Sequence, residues 1–228
     1  MAATVAIRAE GLSKSYRDYL VLQEVSFELA AGACYALFGP NGAGKTTLLK
    51  ILATLQRPSA GRVQLLGRDL LADRTAVRGQ LFFLAHGSHL YDDLNAVENL
   101  RFALGLRGVA PTGREIKLAL DRVGIGAFAD LKSRYFSAGM KKRLAMAKAW
   151  LIRPKLLFMD EAYASLDEKG MALVNLLIRE SRQDGAAIFM SSHDRAKVAE
   201  VADRAGVLRQ GRLHELPVTE LRTAHELY

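Results

Sequence analysis

The chain has 228 residues, half of them hydrophobic and a quarter charged, and a formal net charge of +8. That composition excludes a disordered chain or a coiled coil and suits one large α/β domain. A single cysteine, Cys34, excludes a disulfide framework and any cysteine-built zinc or iron–sulfur site made by this chain alone. The segment Met1 to Glu10 lacks the basic region and apolar stretch of a signal peptide, and no apolar run reaches the ~20 residues of a bilayer span. A soluble, cytoplasmic chain is the expectation. The positive balance fits nucleic acid, an anionic membrane or a polyanionic ligand, but its densest cluster is only Lys141-Lys142-Arg143, so a solvated, mildly basic surface is the plain reading.

In chain order, Val25, Phe27 and Leu29 alternate with Glu24, Ser26 and Glu28, the period-two pattern of a half-buried antiparallel strand. After Gly32, the run Ala33 to Phe38 reads as a fully buried strand that enters a glycine-rich turn. From Thr46, Leu48, Leu49, Ile51, Leu52 and Leu55 recur at helical spacing until Pro58 stops the pattern. Between about Asp93 and Arg153 three helical patterns follow one another: Ala96–Leu106, Arg114–Val123 and a third after Ser137 with Met140, Leu144, Ala147 and Leu151 on one stripe. Strand signals return at Leu156–Met159 and Ala186–Met190. Arg204–Arg209 and Arg212–Leu216, broken by Gln210-Gly211, read as a hairpin. The expected layout is an α/β core with an N-terminal antiparallel β-subdomain and a helical insertion of about sixty residues.

Gly39-Pro40-Asn41-Gly42-Ala43-Gly44-Lys45-Thr46 fits G-x-x-x-x-G-K-[ST] at every fixed position, between a buried strand and a helix, with Thr47 next in line. Glycines let the loop curl so that successive N–H groups converge on phosphate oxygens, and the helix behind it adds its positive N-terminal end. Lys45 then reaches the β/γ phosphates and the Thr46 hydroxyl ligates Mg²⁺. A glycine-rich strand–helix turn without a ligand is the competing reading, and the Lys-Thr pair argues against it. The chain is expected to bind a nucleoside triphosphate.

A phosphate loop needs a carboxylate at the end of a neighbouring strand to hold Mg²⁺, and Leu156-Leu157-Phe158-Met159-Asp160 supplies one. Glu161 follows at once and is aimed at the same cleft, where a general base contributes typically 10²–10⁴-fold in rate. The alternative for Asp160 is an ordinary helix cap after a core strand.

The order of phosphate loop, Phe136-Ser137-Ala138-Gly139-Met140, Leu156–Glu161, Ser165-Leu166-Asp167 and Ser192-His193-Asp194 resembles the ATP-binding subunit of ABC transporters, over nearly the whole chain from Ile7 to Leu213. The resemblance implies a P-loop NTPase core in a single ATP-binding domain, residues 1–228, with the helical subdomain inserted at about 86–153. It implies ATP and Mg²⁺ as ligands, ATP hydrolysis coupled to transport, and a dimer in which each phosphate loop faces the other copy's signature segment. Ser137 and Gly139 match that signature, whereas Phe136, Ala138 and Met140 depart from the family's usual Leu-Ser-Gly-Gly-Gln. Ser137 still suits the N-cap of the helix behind it.

By the same resemblance, His193 contacts the γ-phosphate and the attacking water, Asp167 belongs to the loop that communicates across the dimer, and Tyr16 stacks on adenine. Their plain structural alternatives are a hydrogen-bonding histidine, a helix cap and a surface tyrosine. His86 stands where the family places a glutamine that links Mg²⁺ and water to the helical lobe. His86-Gly87, together with Ser137-Ala138-Gly139, is similar to the ATPase subunit of the haem exporter of cytochrome c maturation, although Tyr163-Ala164-Ser165 departs from that wording. The partners implied are integral membrane subunits and a second ATP-binding subunit, with the chain peripheral to the cytoplasmic face of the inner membrane and no nucleic acid expected. Competing readings are a drug or lipid exporter ATPase, a non-transport ABC ATPase acting on nucleic acid or ribosomes, and a P-loop nucleotide kinase. The substrate is read by the membrane subunits, so this sequence does not name it.

Overall fold

The computed structural model describes residues 4–85 and 90–222. His86 therefore lies outside the described residues. The chain opens on two long strands, β1 (Val5–Tyr16) and β2 (Tyr19–Ala30), joined by a tight turn. Together with β4 (Ala60–Leu65) and the short β5 (Arg68–Asp69) they form an antiparallel sheet in the order β2-β1-β4-β5. Register follows the alternation: Ala9 faces Phe27 on one side and Val63 on the other, and all three are buried. Val25, Phe27 and Leu29 point into the core as expected, while Glu24, Ser26 and Glu28 are exposed.

A second sheet runs β10-β9-β3-β8-β7-β6. It contains β3 (Cys34–Phe38), β6 (Leu81–Leu84), β7 (Leu156–Met159), β8 (Ala187–Ser191), β9 (Arg204–Arg209) and β10 (Arg212–Leu216). Its pairs are parallel except β9–β10, the hairpin that Gln210-Gly211 turns. Strand β3 is buried on both faces, which explains its unbroken apolar run. Cys34, Ala36 and Phe38 join the core beneath the helices, and Tyr35 and Leu37 join the core shared with the antiparallel sheet. Phe27 of β2 meets Tyr35 of β3 and Phe189 of β8 with ring centroids 5.6 and 5.0 Å apart, which ties the two sheets' contributions into one interior.

Helix α1 (Lys45–Leu52) leaves the glycine-rich turn after β3. It stops earlier than the leucine spacing predicts: Thr54 adopts φ 63, and Leu55 falls on the exposed turn behind it. Helix α2 (Arg74–Arg78) is a single short turn before β6. Between β6 and β7 come α3 (Ala96–Gly105), α4 (Gly113–Arg122) and α5 (Ala138–Ile152), which bury Leu100, Leu104, Ile116, Leu120 and Leu144 against one another. Helix α6 (Glu168–Gln183) and the short α7 (Arg195–Val198) flank β8. No helix among the described residues is long and apolar enough to cross a membrane.

The chemistry sits where it does because β3, β8 and β7 are adjacent and parallel. Their carboxyl ends open on one edge, where parallel α/β sheets hold ligands. The turns after β3, β7 and β8 carry Gly39–Thr46, Asp160-Glu161 and His193.

Candidate nucleotide site

Helix α1 begins with its amide groups uncapped by any side chain, and its N-cap residue, Gly44, is at φ 103. The longer helices of the chain are treated differently. Asn95, Thr112, Ser137 and Asp167 place side-chain oxygens on the first-turn amides of α3, α4, α5 and α6. The N–H groups left open at α1, with the helix's positive end behind them, form a cradle for an anion. Glycine is required in this loop for space as well as for φ. A Cβ at Gly39, which sits at φ 149, would lie 2.6 Å from the carbonyl oxygen of Leu208. One at Gly44 would press on Val21 and Leu22 at about 3.0 Å.

Lys45 is buried, and its Nζ donates to the carbonyls of Gly39 at 2.7 Å and Pro40 at 3.1 Å. Burial holds this amine below the ordinary lysine value, and the carboxylates of Glu161 and Asp160 oppose that shift. Thr46 donates its hydroxyl to Asp160 Oδ2 at 2.8 Å, and Ser191 donates to Asp160 Oδ1 at 2.7 Å. The threonine hydroxyl and the aspartate carboxylate thus converge as hard oxygen donors, the donor set that Mg²⁺ takes. Pro40, Asn41, Gly42, Ala43, Gly44, Lys45, Thr46 and Thr47 line a cleft of about 300 Å³ together with Val21 and Glu161.

Glu161 is held in the left-handed region at φ 50, a conformation that costs a non-glycine residue ~1–3 kcal/mol and persists only when its surroundings impose it. Here they do. Its N–H donates to Ser191 Oγ at 2.9 Å, the next N–H, of Ala162, donates to the Ser191 carbonyl at 3.0 Å, and its own carbonyl accepts from Lys142 Nζ. Its Oε1 lies 3.2 Å from His193 Nε2. The carboxylate and the imidazole therefore meet at one place.

Three of the residues named from sequence stand apart from this cleft. Ser137 caps α5 by accepting from Met140 N–H at 3.2 Å, and Gly139 packs so closely that a Cβ would lie 2.8 Å from the Ser165 carbonyl oxygen. Tyr16, at the end of β1, donates its hydroxyl to Gln56 at 2.7 Å and carries Lys14 Nζ 5.0 Å from its ring centre. None of the three lines the phosphate-loop cleft of its own chain. Asp167 caps α6 through Gly170 N–H at 2.9 Å and binds Arg143 at 2.6 Å. The hydrogen bond from the Gly170 N–H and then that from the Arg143 guanidinium hold its carboxyl below the usual carboxylate range.

Within the basic cluster Lys141-Lys142-Arg143, the middle residue departs from the solvated surface expected of the positive balance. Lys142 is only 8% exposed, and its Nζ donates to the carbonyls of Glu161 and, at 3.2 Å, Ala164. Lys141 pairs with Asp92 at 3.1 Å, and Arg143 reaches the Val123 carbonyl at 2.9 Å as well as Asp167. Each cation meets a different neighbour of α5. Ser191 is the other residue that the motif reading passed over. Its position two residues before His193 was the available signal.

A family profile described as ABC transporter matches residues 22–164. The chain is 34% identical over 213 residues to the uncharacterized ABC transporter ATP-binding protein YcbN of Bacillus subtilis, covering 93% of this chain and 69% of that one. It is 35% identical over 191 residues to the cytochrome c biogenesis ATP-binding export protein CcmA of Pseudomonas putida, covering 83% of this chain and 90% of the relative. Among solved structures, an ATP-binding subunit of an ABC transporter superposes with a TM-score of 0.86 at 27% identity, over 96% of this chain and 95% of the other.

Proposed function

The chain belongs to the ABC transporter ATP-binding family and is an ATPase, and we propose that it energises haem export as the nucleotide-binding subunit of a membrane complex. The observation that carries the nucleotide chemistry is the uncapped start of α1 beside buried Lys45 and the 2.8 Å contact of Thr46 with Asp160. In this reading the loop amides of Gly39–Thr47 and Lys45 Nζ hold the phosphates. Thr46 and Asp160 hold Mg²⁺, which when bound neutralises charge on the phosphate oxygens. His86 is a third candidate ligand and lies outside the described residues. Glu161 takes the proton of the attacking water on its carboxylate, and His193, 3.2 Å away, orients that carboxylate and contacts the γ-phosphate.

Two copies are needed. The resemblance puts Ser137 and Gly139 against the phosphate loop of a second subunit and Tyr16 on the adenine at the rim, and none of the three lines the cleft of its own chain. ATP closes the pair and hydrolysis reopens it. The whole chain, 1–228, acts as one ATP-binding domain, with the helices of about 86–153 facing integral membrane subunits at the cytoplasmic face of the inner membrane. Haem as cargo is supported by the likeness to the cytochrome c biogenesis relative and by the Ser137-Ala138-Gly139 wording.

The test is to purify the chain with its membrane partner in nanodiscs and measure ATP turnover with and without haem. Haem-stimulated turnover is expected. Stimulation by amphipathic drugs or lipids alone would move the cargo to that class, and nucleic-acid stimulation with no membrane partner would overturn the transport reading.

A further inference from the structure

Tyr163 stands two residues after Glu161, and it is almost wholly buried, as is Asn175 on α6. The Tyr163 hydroxyl donates to Asn175 Oδ1 at 2.6 Å. The amide nitrogen of Asn175 donates in turn to Glu200 Oε2 at 2.9 Å and to the Lys197 carbonyl at 3.3 Å. Lys197 lies on α7, whose start is capped by Asp194: the Lys197 N–H donates to Asp194 Oδ1 at 2.9 Å. Asp194 follows His193 directly. A continuous chain of polar contacts, buried at Tyr163 and Asn175 and part-buried beyond them, therefore runs from the turn that carries Glu161, through α6, to the helix that anchors His193.

We propose that Tyr163 and Asn175 are positioning residues that set the approach of His193 to Glu161. Strands β7 and β8 fix only the roots of the two side chains, because Glu161 and His193 both lie beyond the strand ends. The rest of the distance depends on how the turn after β7 and the start of α7 are held relative to each other. The Asn175 amide holds both at once, accepting from one side and donating to the other. Such a bridge has no apolar substitute, since a buried amide that loses one partner keeps the full cost of its desolvation. Tyr163 keeps its proton throughout, because burial pushes the phenol far above its ordinary value, with nearby Cys34, Asp194 and Glu200 adding to the shift and Arg179 opposing it. The departure of Tyr163-Ala164-Ser165 from the exporter wording thus has a structural use.

This proposal rests on the assignment of Glu161 and His193 to water activation. The test compares Tyr163→Phe, Asn175→Ser and Glu161→Gln for steady-state turnover and for ATP affinity in the assembled complex. Tyr163→Phe keeps the ring that packs and removes only the donor. Expected is a roughly tenfold fall in kcat for Tyr163→Phe and Asn175→Ser, with ATP affinity within about twofold of wild type. Adding Tyr163→Phe to Glu161→Gln should leave the residual rate where Glu161→Gln alone puts it. Unchanged kcat in Tyr163→Phe while Glu161→Gln stalls would overturn the bridge and spare the site. A loss confined to ATP affinity would overturn it as well. Full turnover in Glu161→Gln would remove the site reading and the bridge together.

Discussion

Replacing Lys142 by methionine isolates the brace on the turn that carries Glu161. The lysine ammonium holds the carbonyls of Glu161 and Ala164, and Glu161 sits at φ 50. A hydrogen bond from a charged donor is worth ~1.5–3 kcal/mol, and the left-handed backbone costs ~1–3 kcal/mol. The two magnitudes are equal within their spread, so removing the cation releases the turn to relax and carries the Glu161 carboxylate off His193. We expect kcat to fall ~10–100-fold, a barrier increase of about 1.4–2.8 kcal/mol. Affinity for ATP should stay within about twofold, since Lys142 does not line the phosphate-loop cleft.

Stability adds a second signature of the same substitution. Burial lowers the Lys142 amine from 10.5 to about 8, against the pull of Glu161 and Asp160. Between those values the unfolded chain binds the proton that the native chain has lost, so stability rises with pH across that window. The native chain carries the burial cost in full below pH 8 and sheds it as the pH approaches 10.5, a change on the order of 3 kcal/mol. Lys142→Met should lack this slope. Steady-state ATPase assays, with urea denaturation at pH 7 and pH 9.5, read both effects. Wild-type kcat in Lys142→Met, or an unchanged pH slope of stability, would refute the reasoning.

Lys45→Ala should weaken ATP binding at least roughly tenfold, because it removes a cation buried against the loop and ~1.5–3 kcal/mol of charge-assisted bonding. Equilibrium binding of a fluorescent ATP analogue reads this, and wild-type affinity would dismiss the phosphate-loop assignment. Gly139→Ala forces a Cβ to 2.8 Å from the Ser165 carbonyl, so the start of α5 or the loop at Ser165 must shift. Turnover should drop several-fold while ATP binding to the isolated subunit is retained. Loss of binding itself would place Gly139 in the cleft of its own chain.

The phosphate loop, Asp160-Glu161 and His193 were legible because each is a short string fixed by local geometry: an apolar strand, then a polar residue at its end. The Ser137 cap and the Gln210-Gly211 hairpin were legible for the same reason. Strand β6 was not, because Leu81-Phe82-Phe83-Leu84 is too short for periodicity to separate strand from helix. Helix α1 ends before Leu55 because the turn at Thr54 overrides the leucine spacing. Lys142 was misread for a deeper reason. A lysine beside two other cations looks solvated, and only carbonyl partners 19 and 22 residues further along the chain make its burial tolerable. Ser191, which serves Asp160 and Glu161 from the neighbouring strand, and the Tyr163–Asn175 contact are likewise products of tertiary pairing.

The central claim is that Glu161 activates water in a site completed by a second copy of the chain. Glu161→Gln keeps the shape of the side chain and removes the base, so the most direct measurement is sedimentation velocity of that variant with ATP and Mg²⁺, alongside its turnover. The account predicts a stable ATP-loaded dimer and turnover reduced at least ~100-fold. A monomer that hydrolyses ATP at the wild-type rate would contradict it.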